Sequence, residues 1–290
     1  MSYDEKYMHR CLQLAGYGRG FVSPNPLVGS VIIHDDKIIG EGFHRACGQA
    51  HAEVNAIASV KDKEFLKDAT LYVNLEPCSH HGKTPPCADL IIRMGIPRVV
   101  VGMQDPFPEV AGRGIGRLRE HGVEVAVGVL KEECEWLNRR FIIFHREHRP
   151  YVILKWAQSA DGFMDIIRRE GDGQQPVVFS NDFAQIAVHK LRAEEDAIMV
   201  GTNTERLDKP RLNVRYWDGK DPLKLIADSS KTLKEQLHEL YRQNIQSLIV
   251  EGGAKLLASF IKENLWDEAR IETAEHILLG EGVKAPVIDK

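Results

Sequence analysis

The chain has 290 residues, enough for about two domains that each build their own core. Its 43% hydrophobic and 28% charged residues are those of a globular protein, and a net charge of −4 without a long Lys/Arg run gives no electrostatic ground for nucleic-acid binding. There is no run of about 18 apolar residues and no leader pattern at Met1-Ser2-Tyr3-Asp4, and five cysteines in a chain this long fit metal binding in a reducing cytoplasm better than a disulfide framework.

Ser2-Tyr3-Asp4-Glu5 matches a capping box, and Tyr7, Cys11, Leu14 and Ala15 follow at helical spacing until Gly16 and Gly18. Ser23-Pro24-Asn25-Pro26 cannot lie inside a regular element and reads as a fixed loop. Residues 28–33 and 37–42 are strand candidates joined as a hairpin by Asp35-Asp36. Ala52, Val54, Ala56 and Ile57 place His51 and Glu53 on the first turn of a helix. A third strand, 69–74, delivers the chain to Cys78, and Pro86 suits the first turn of a helix that begins around Cys87. Strands at 98–103 and 123–128 flank a helix around 115–121, and a last helix from about 132 to 144 closes an α/β layered domain. The polar stretch His145 to Pro150 marks the boundary, giving domains of 1–146 and 147–290.

The second half opens with a strand at 151–155, a turn at Ser159-Ala160-Asp161-Gly162 and a loop at 171–176. An amphipathic helix holding Ile186, His189, Lys190 and Leu191 ends near Arg192. Strands follow at 197–200, 223–227 and 247–250, with a helix on Leu233, Leu237 and Leu240 before the last of them. Glu251-Gly252-Gly253 then opens a helix through Leu256, Leu257 and Phe260. Glycines between a strand and a helix let backbone N–H groups approach a phosphate, although this is not a G-x-G-x-x-G fingerprint and would serve equally as a tight turn.

The chemistry concentrates in His51-Ala52-Glu53 and in Pro77-Cys78 through Pro86-Cys87. One imidazole and two thiols are a soft three-point set for Zn²⁺, which leaves a fourth position open and so describes a catalytic site. Glu53 is too close in sequence to His51 to be a natural fourth ligand, yet it is placed to move a proton. His-x-Glu followed by Pro-Cys and a second Cys is the pattern of zinc deaminases, with the Glu as general acid and base. Cys47, His44, His80 and His81 are further donors nearby, and a fourth protein ligand would close the site. Lys83 could meet an anion as a point charge or be a solvated loop lysine, and Arg192 and Arg215 could clamp an anion or be a helix-end cation and a surface loop charge.

Eight residues separate Cys78 from Cys87, where common nucleobase deaminases have two. Together with Ser23-Pro24-Asn25-Pro26 and Gly82-Lys83-Thr84-Pro85-Pro86-Cys87, this spacing closely resembles the bifunctional deaminase–reductase family of riboflavin biosynthesis. The second half adds Lys155, Ser159 to Gly162, His189 to Arg192, Thr204, Asp208 and Val250 to Gly253 to the resemblance. It implies a cytidine-deaminase-like three-layer α/β/α domain followed by a dihydrofolate-reductase-like α/β domain. The implied reactions are zinc-dependent deamination of a phosphorylated ribosylaminopyrimidine and NADPH-dependent reduction of its ribosyl group to ribityl. By the same resemblance Zn²⁺ rests on His51, Cys78 and Cys87 with Glu53 catalytic, and Asn25, His44, His80, Lys83 and Asp105 contact the deaminase substrate. Lys155, Arg192, Leu212, Arg215 and Glu251 contact the reductase substrate, while Thr204, Asp208, Ser229 and Gly253 lie along NADPH. A cytoplasmic homo-oligomer acting on small molecules is implied too.

The chain departs from the family at three places. Phe107 stands where an Asn is usual, residues 175–180 lack the usual Trp, and Asp228-Ser229-Ser230 runs almost directly into the helix of Leu233 where the family has a longer segment with another strand. The reductase half therefore reads as shortened, which leaves a deaminase with a non-functional second domain as one alternative. A nucleic-acid base deaminase would show a basic face and the short Cys spacing; a zinc-stabilised binding module would have no need of Glu53.

Overall fold

A computed structural model of the chain describes residues 1–79, 85–107, 111–171 and 173–288. It divides into two compact units, Met1–Glu147 and His148–Lys290. In the first, α1 (Tyr3–Gly16) leads to β1 (Gly29–His34) and β2 (Lys37–Phe43), then α2 (Ala52–Ser59) and β3 (Thr70–Leu75). The chain continues through α3 (Cys87–Arg93), β4 (Arg98–Met103), α4 (Arg113–Glu120), β5 (Glu124–Val127), α5 (Lys131–Leu137) and α6 (Arg139–Glu147). The capping box of α1 is present, and Asp35 and Asp36 both take positive φ, as a two-residue hairpin turn between β1 and β2 requires.

The sheet order is β2-β1-β3-β4-β5, with β1 antiparallel to both neighbours and β3, β4 and β5 parallel. Alternation along the strands sorts the side chains into two cores. Ile32, Leu71, Val73, Val99 and Val101 pack with Ala56, Ile57, Ala88, Ile91, Ile115 and Leu118 of α2, α3 and α4. Val31, Ile33, Tyr72 and Val100 pack on the other face with Tyr7, Met8, Cys11 and Leu14 of α1, and with Cys134 and Ile142. The result is helix, sheet, helix. The single closing helix expected over 132–144 is instead two, α5 and α6, broken at the buried Asn138. The Asn138 amide binds both backbone groups of Leu27, accepting from its N–H at 2.8 Å and donating to its carbonyl at 3.0 Å.

The second unit begins with β6 (Tyr151–Ser159), β7 (Phe163–Asp165), α7 (Asp182–Glu194), β8 (Ala197–Val200) and α8 (Thr202–Asp208). It goes on through β9 (Leu223–Ile226), α9 (Leu233–Arg242), β10 (Ser247–Val250), α10 (Ala254–Lys262), β11 (Glu268–Ala274) and β12 (Val283–Lys284). Five strands run parallel in the order β11-β6-β10-β8-β9, and β7 pairs with β12 separately. Strands such as Ala197-Ile198-Met199-Val200 are apolar throughout because a parallel sheet is covered on both faces. One of those faces meets Leu233, Leu237 and Leu240 of α9 and Leu257 and Phe260 of α10. The sequence reading passed over β11, β7, β12 and the short α8. β11 is an edge strand carrying Glu268, Arg270 and Glu272, so its charges hide the strand pattern.

Candidate active sites

The first site forms where two helices begin. His51 is the N-cap of α2 but makes no side-chain cap, because its ring turns to the two thiols. Its Nδ1 lies 3.6 Å from Cys78 Sγ and 3.3 Å from Cys87 Sγ, and the Cys87 N–H donates to Cys78 Sγ at 3.3 Å. All three ligand atoms fall within 4.8 Å of one another. One nitrogen and two sulfurs so gathered fit a zinc ion with a fourth position left open. Cys47 is exposed and outside the cluster, whereas Cys11 and Cys134 are buried in the core beneath α1.

The electrostatics follow from this convergence. Hydrogen bonding from the Cys87 thiol and from His51 holds Cys78 down to about 4 against the effect of burial, and Cys87 is pushed up by the same neighbour. His51 is raised, first by its hydrogen bond to Cys78. Glu53, in the first turn of α2 and only 3% exposed, is pushed up to about 7 by burial and then by Cys78. A carboxyl group in this state gains and loses a proton near neutrality.

Two candidate substrate contacts stand beside the cluster. The His44 ring packs edge-on to His51 at 5.6 Å, with Nδ1 3.1 Å from the Ala50 carbonyl and Nε2 2.9 Å from Asn25 Nδ2. The proton therefore sits on Nδ1, and Nε2 accepts from Asn25. Burial lowers the His44 pKa and so favours that neutral ring. Asn25 is carried by the Pro-flanked loop, which is anchored just beyond it. Asn74 at the end of β3 accepts from Gly29 N–H at 2.8 Å and donates to the Leu27 carbonyl at 3.0 Å, and Asn138 binds Leu27 from α5's end. His80 and Lys83 lie outside the described residues.

Asp105 is held in a turn: its Oδ1 accepts from the Phe107 N–H at 2.9 Å. Its own N–H donates to Glu76, a residue the sequence reading missed. Glu76, 5% exposed and two residues before Cys78, accepts four backbone N–H groups: those of Asp105 (3.2 Å), Gly112 (2.9 Å), Gly114 (2.9 Å) and Ile115 (3.2 Å). A Cβ at Gly114 would collide with the Pro77 carbonyl oxygen, so glycine is required where α4 approaches the zinc-ligand segment. No sequence pattern marks Glu76, because its partners lie far along the chain.

The second unit holds a cleft of about 760 Å³ whose wall includes Thr204, Asp208, Ser229, Glu251 and Gly253. These bring together the four cofactor candidates and one substrate candidate. Gly252 and Gly253 have φ of +126° and +61°, values that a side chain disfavours, and they open α10 beside Thr204. A phosphate-bearing dinucleotide fits this glycine-lined helix start. Arg192, Leu212 and Arg215 line a smaller cavity of about 340 Å³ with Pro210 and Arg211. The two cavities meet at one ion pair, in which Arg192 Nε and Nη2 bind Glu251 at 3.0 and 2.6 Å. Arg192 is thus neutralised, while Arg215 meets Asn213 and the Tyr216 ring, and its backbone N–H donates to His189 Nδ1 at 2.9 Å. Lys155 lines neither cavity; it is half-buried on β6 opposite Arg270 of β11.

A model of the cytidine and deoxycytidylate deaminase zinc-binding region matches residues 1–103, and a model of the RibD C-terminal domain matches 150–236 and 231–289. The chain is similar to the riboflavin biosynthesis protein RibD of Aquifex aeolicus (strain VF5), 38% identical over 324 aligned residues that cover 97% of this chain and 89% of that protein. It is similar to the crystal structure of a diaminohydroxyphosphoribosylaminopyrimidine deaminase/5-amino-6-(5-phosphoribosylamino)uracil reductase from Thermotoga maritima, with a TM-score of 0.85 and 36% identity. RibD from Acinetobacter baumannii gives a TM-score of 0.87 at 32% identity, and both alignments cover 97% of this chain and 89% of the other.

Proposed function

The chain belongs to the RibD family of riboflavin-biosynthesis proteins, and from that membership we propose the residues through which its two activities work. It is a bifunctional enzyme, a zinc-dependent deaminase in its first unit and an NADPH-dependent reductase in its second. The substrate is 2,5-diamino-6-ribosylamino-4(3H)-pyrimidinone 5′-phosphate, whose ring amine is removed before its ribosyl group is reduced to ribityl. The observation that supports the site assignment best is the gathering of His51, Cys78 and Cys87 beside the buried carboxyl of Glu53.

His51, Cys78 and Cys87 would hold the zinc ion, whose chemistry would be to make water acidic enough to act as a nucleophile at neutral pH. Glu53 takes one proton from the attacking water and delivers it to the ring nitrogen, then carries the second proton, left on the added hydroxyl, to the departing amine as the carbonyl forms. Asn25 and His44 orient the ring, Asp105 supports its far side, and His80 and Lys83 complete the contacts, with Lys83 on the phosphate. In the second unit Thr204, Asp208, Ser229 and Gly253 line NADPH. Arg215, Leu212 and the Arg192–Glu251 pair hold the sugar phosphate, Arg215 supplying the uncancelled charge, and Lys155, which lines neither cavity, has no contact in this reading. On the family resemblance alone, the enzyme works in the cytoplasm as a homo-oligomer.

The test follows ammonia release and NADPH oxidation separately on the zinc-loaded protein. Glu53→Gln should retain zinc and lose ammonia release by about 10²-fold or more, the range for a general acid–base. Equal turnover in that variant would remove Glu53 from the mechanism. NADPH oxidation must appear only after ammonia release or with the deaminated pyrimidine supplied.

A further inference from the structure

The cofactor cleft contains an arginine that none of the proposed contacts accounts for. Arg168 follows β7, its side chain is 9% exposed, and it lines the cleft together with Asp165 and Asp208. Its Nε and Nη2 bind Asp165 Oδ2 at 2.7 and 2.6 Å, while Nη1 binds Asp208 Oδ1 at 2.7 Å. Asp165 is itself fixed, since its Oδ1 accepts from the Ile166 and Val177 N–H groups at 2.9 and 3.0 Å. Asp208 is the last residue of α8, and Lys209 after it turns into the left-handed region at φ +42°. One guanidinium therefore ties the backbone around β7 to the end of α8 through two carboxylates.

We infer that Arg168 is a positioning residue of the reductase: it holds the Asp208 carboxylate in place and cancels the charge that two carboxylates would otherwise present to the dinucleotide. This rests on the reading of the cleft as the NADPH site. The physical reason is charge balance. With Arg168 the trio carries one net negative charge, and without it two carboxylates would stand in the wall of a site for a polyanion. A planar guanidinium reaches both carboxylates in one rigid fork, which a lysine ammonium does less well.

NADPH binding to the full-length protein, measured by titration calorimetry beside steady-state kinetics, decides it. Arg168→Met should raise the NADPH dissociation constant and KM about tenfold, with ammonia release and the KM for the pyrimidine unchanged, as expected when one partner of a buried charge network is removed. Arg168→Lys, which keeps a cation between the carboxylates, should weaken binding only about threefold. A wild-type NADPH dissociation constant in either folded variant overturns the inference, as does a lysine variant no better than methionine. If the methionine variant fails to fold, the lysine variant alone decides against the wild type: a weakening of about threefold supports the inference, and an unchanged NADPH dissociation constant overturns it. Wild-type protein that binds no NADPH removes both the cleft reading and the inference; wild-type binding with unmoved variants removes the inference alone.

Discussion

Glu76 shows how a single side chain organises a site that it does not enter. Its two oxygens accept four N–H groups: Asp105 and Gly112 on one oxygen, Gly114 and Ile115 at the start of α4 on the other. Removing the acceptor would leave buried donors unpaired, at about 1–3 kcal/mol each. Glu76→Ala should therefore destabilise the first unit by roughly 3 kcal/mol or more in urea unfolding, and it should weaken zinc retention because Pro77 and Cys78 follow directly. A variant with wild-type stability would show that water or rearrangement satisfies those donors. Residue type and local spacing were enough to single out His51, Cys78 and Cys87, which the fold brings together, and the buried Glu53, because a zinc site of this chemistry needs those atom types close together. Glu76 and Arg168 were not legible, since a carboxylate or guanidinium acquires its meaning from partners that only folding brings near.

At the scale of elements, α1 illustrates how a helix is seated. Its capping box sets the start, and Asp4 in the first turn binds Arg98 of β4 at 2.9 Å and accepts from Tyr72 of β3 at 2.7 Å. Arg98 is the main cause that holds the Asp4 carboxyl below its ordinary range, with Tyr72 assisting and burial opposing. A depressed folded-state pKa contributes stability that is complete above the unfolded value, about 4, and is lost as pH falls through the lower folded value. Asp4→Asn should accordingly flatten the loss of stability of the first unit below about pH 4, seen as urea midpoints that depend less on pH than those of the wild type. An identical pH profile would show that the pair contributes nothing. The break between α5 and α6 carries a related lesson. Periodicity ran on through residue 138, but Asn138 forms two hydrogen bonds with Leu27, and that pairing ends one helix and begins another.

Across the whole molecule the two proposed chemistries occupy separate units: the gathered His51, Cys78 and Cys87 lie in Met1–Glu147 and every lining residue of the large cleft in His148–Lys290. Chelation of zinc should therefore abolish ammonia release while leaving the NADPH dissociation constant unchanged; a parallel loss of both would mean that the units depend on one another. The short connection noted after Asp228 is a closed local structure. Asp228 receives the Ser230 N–H at 2.9 Å, and the Thr232–Glu235 capping box starts α9. The two stretches matched by the RibD C-terminal model meet there, at 231–236. Ser229 and Thr232 still line the cleft. By itself the sequence singled out His51, Cys78 and Cys87, which the fold gathers, the buried Glu53 beside them, the glycine turn and the α/β character of both halves, because each rests on residue types or periodicities close together in the chain. The tertiary structure alone decided that Lys155 stands apart from both cavities, that Arg192 is spent on Glu251, and that Glu76 and Arg168 hold the walls, because those roles depend on distances between residues far apart in sequence.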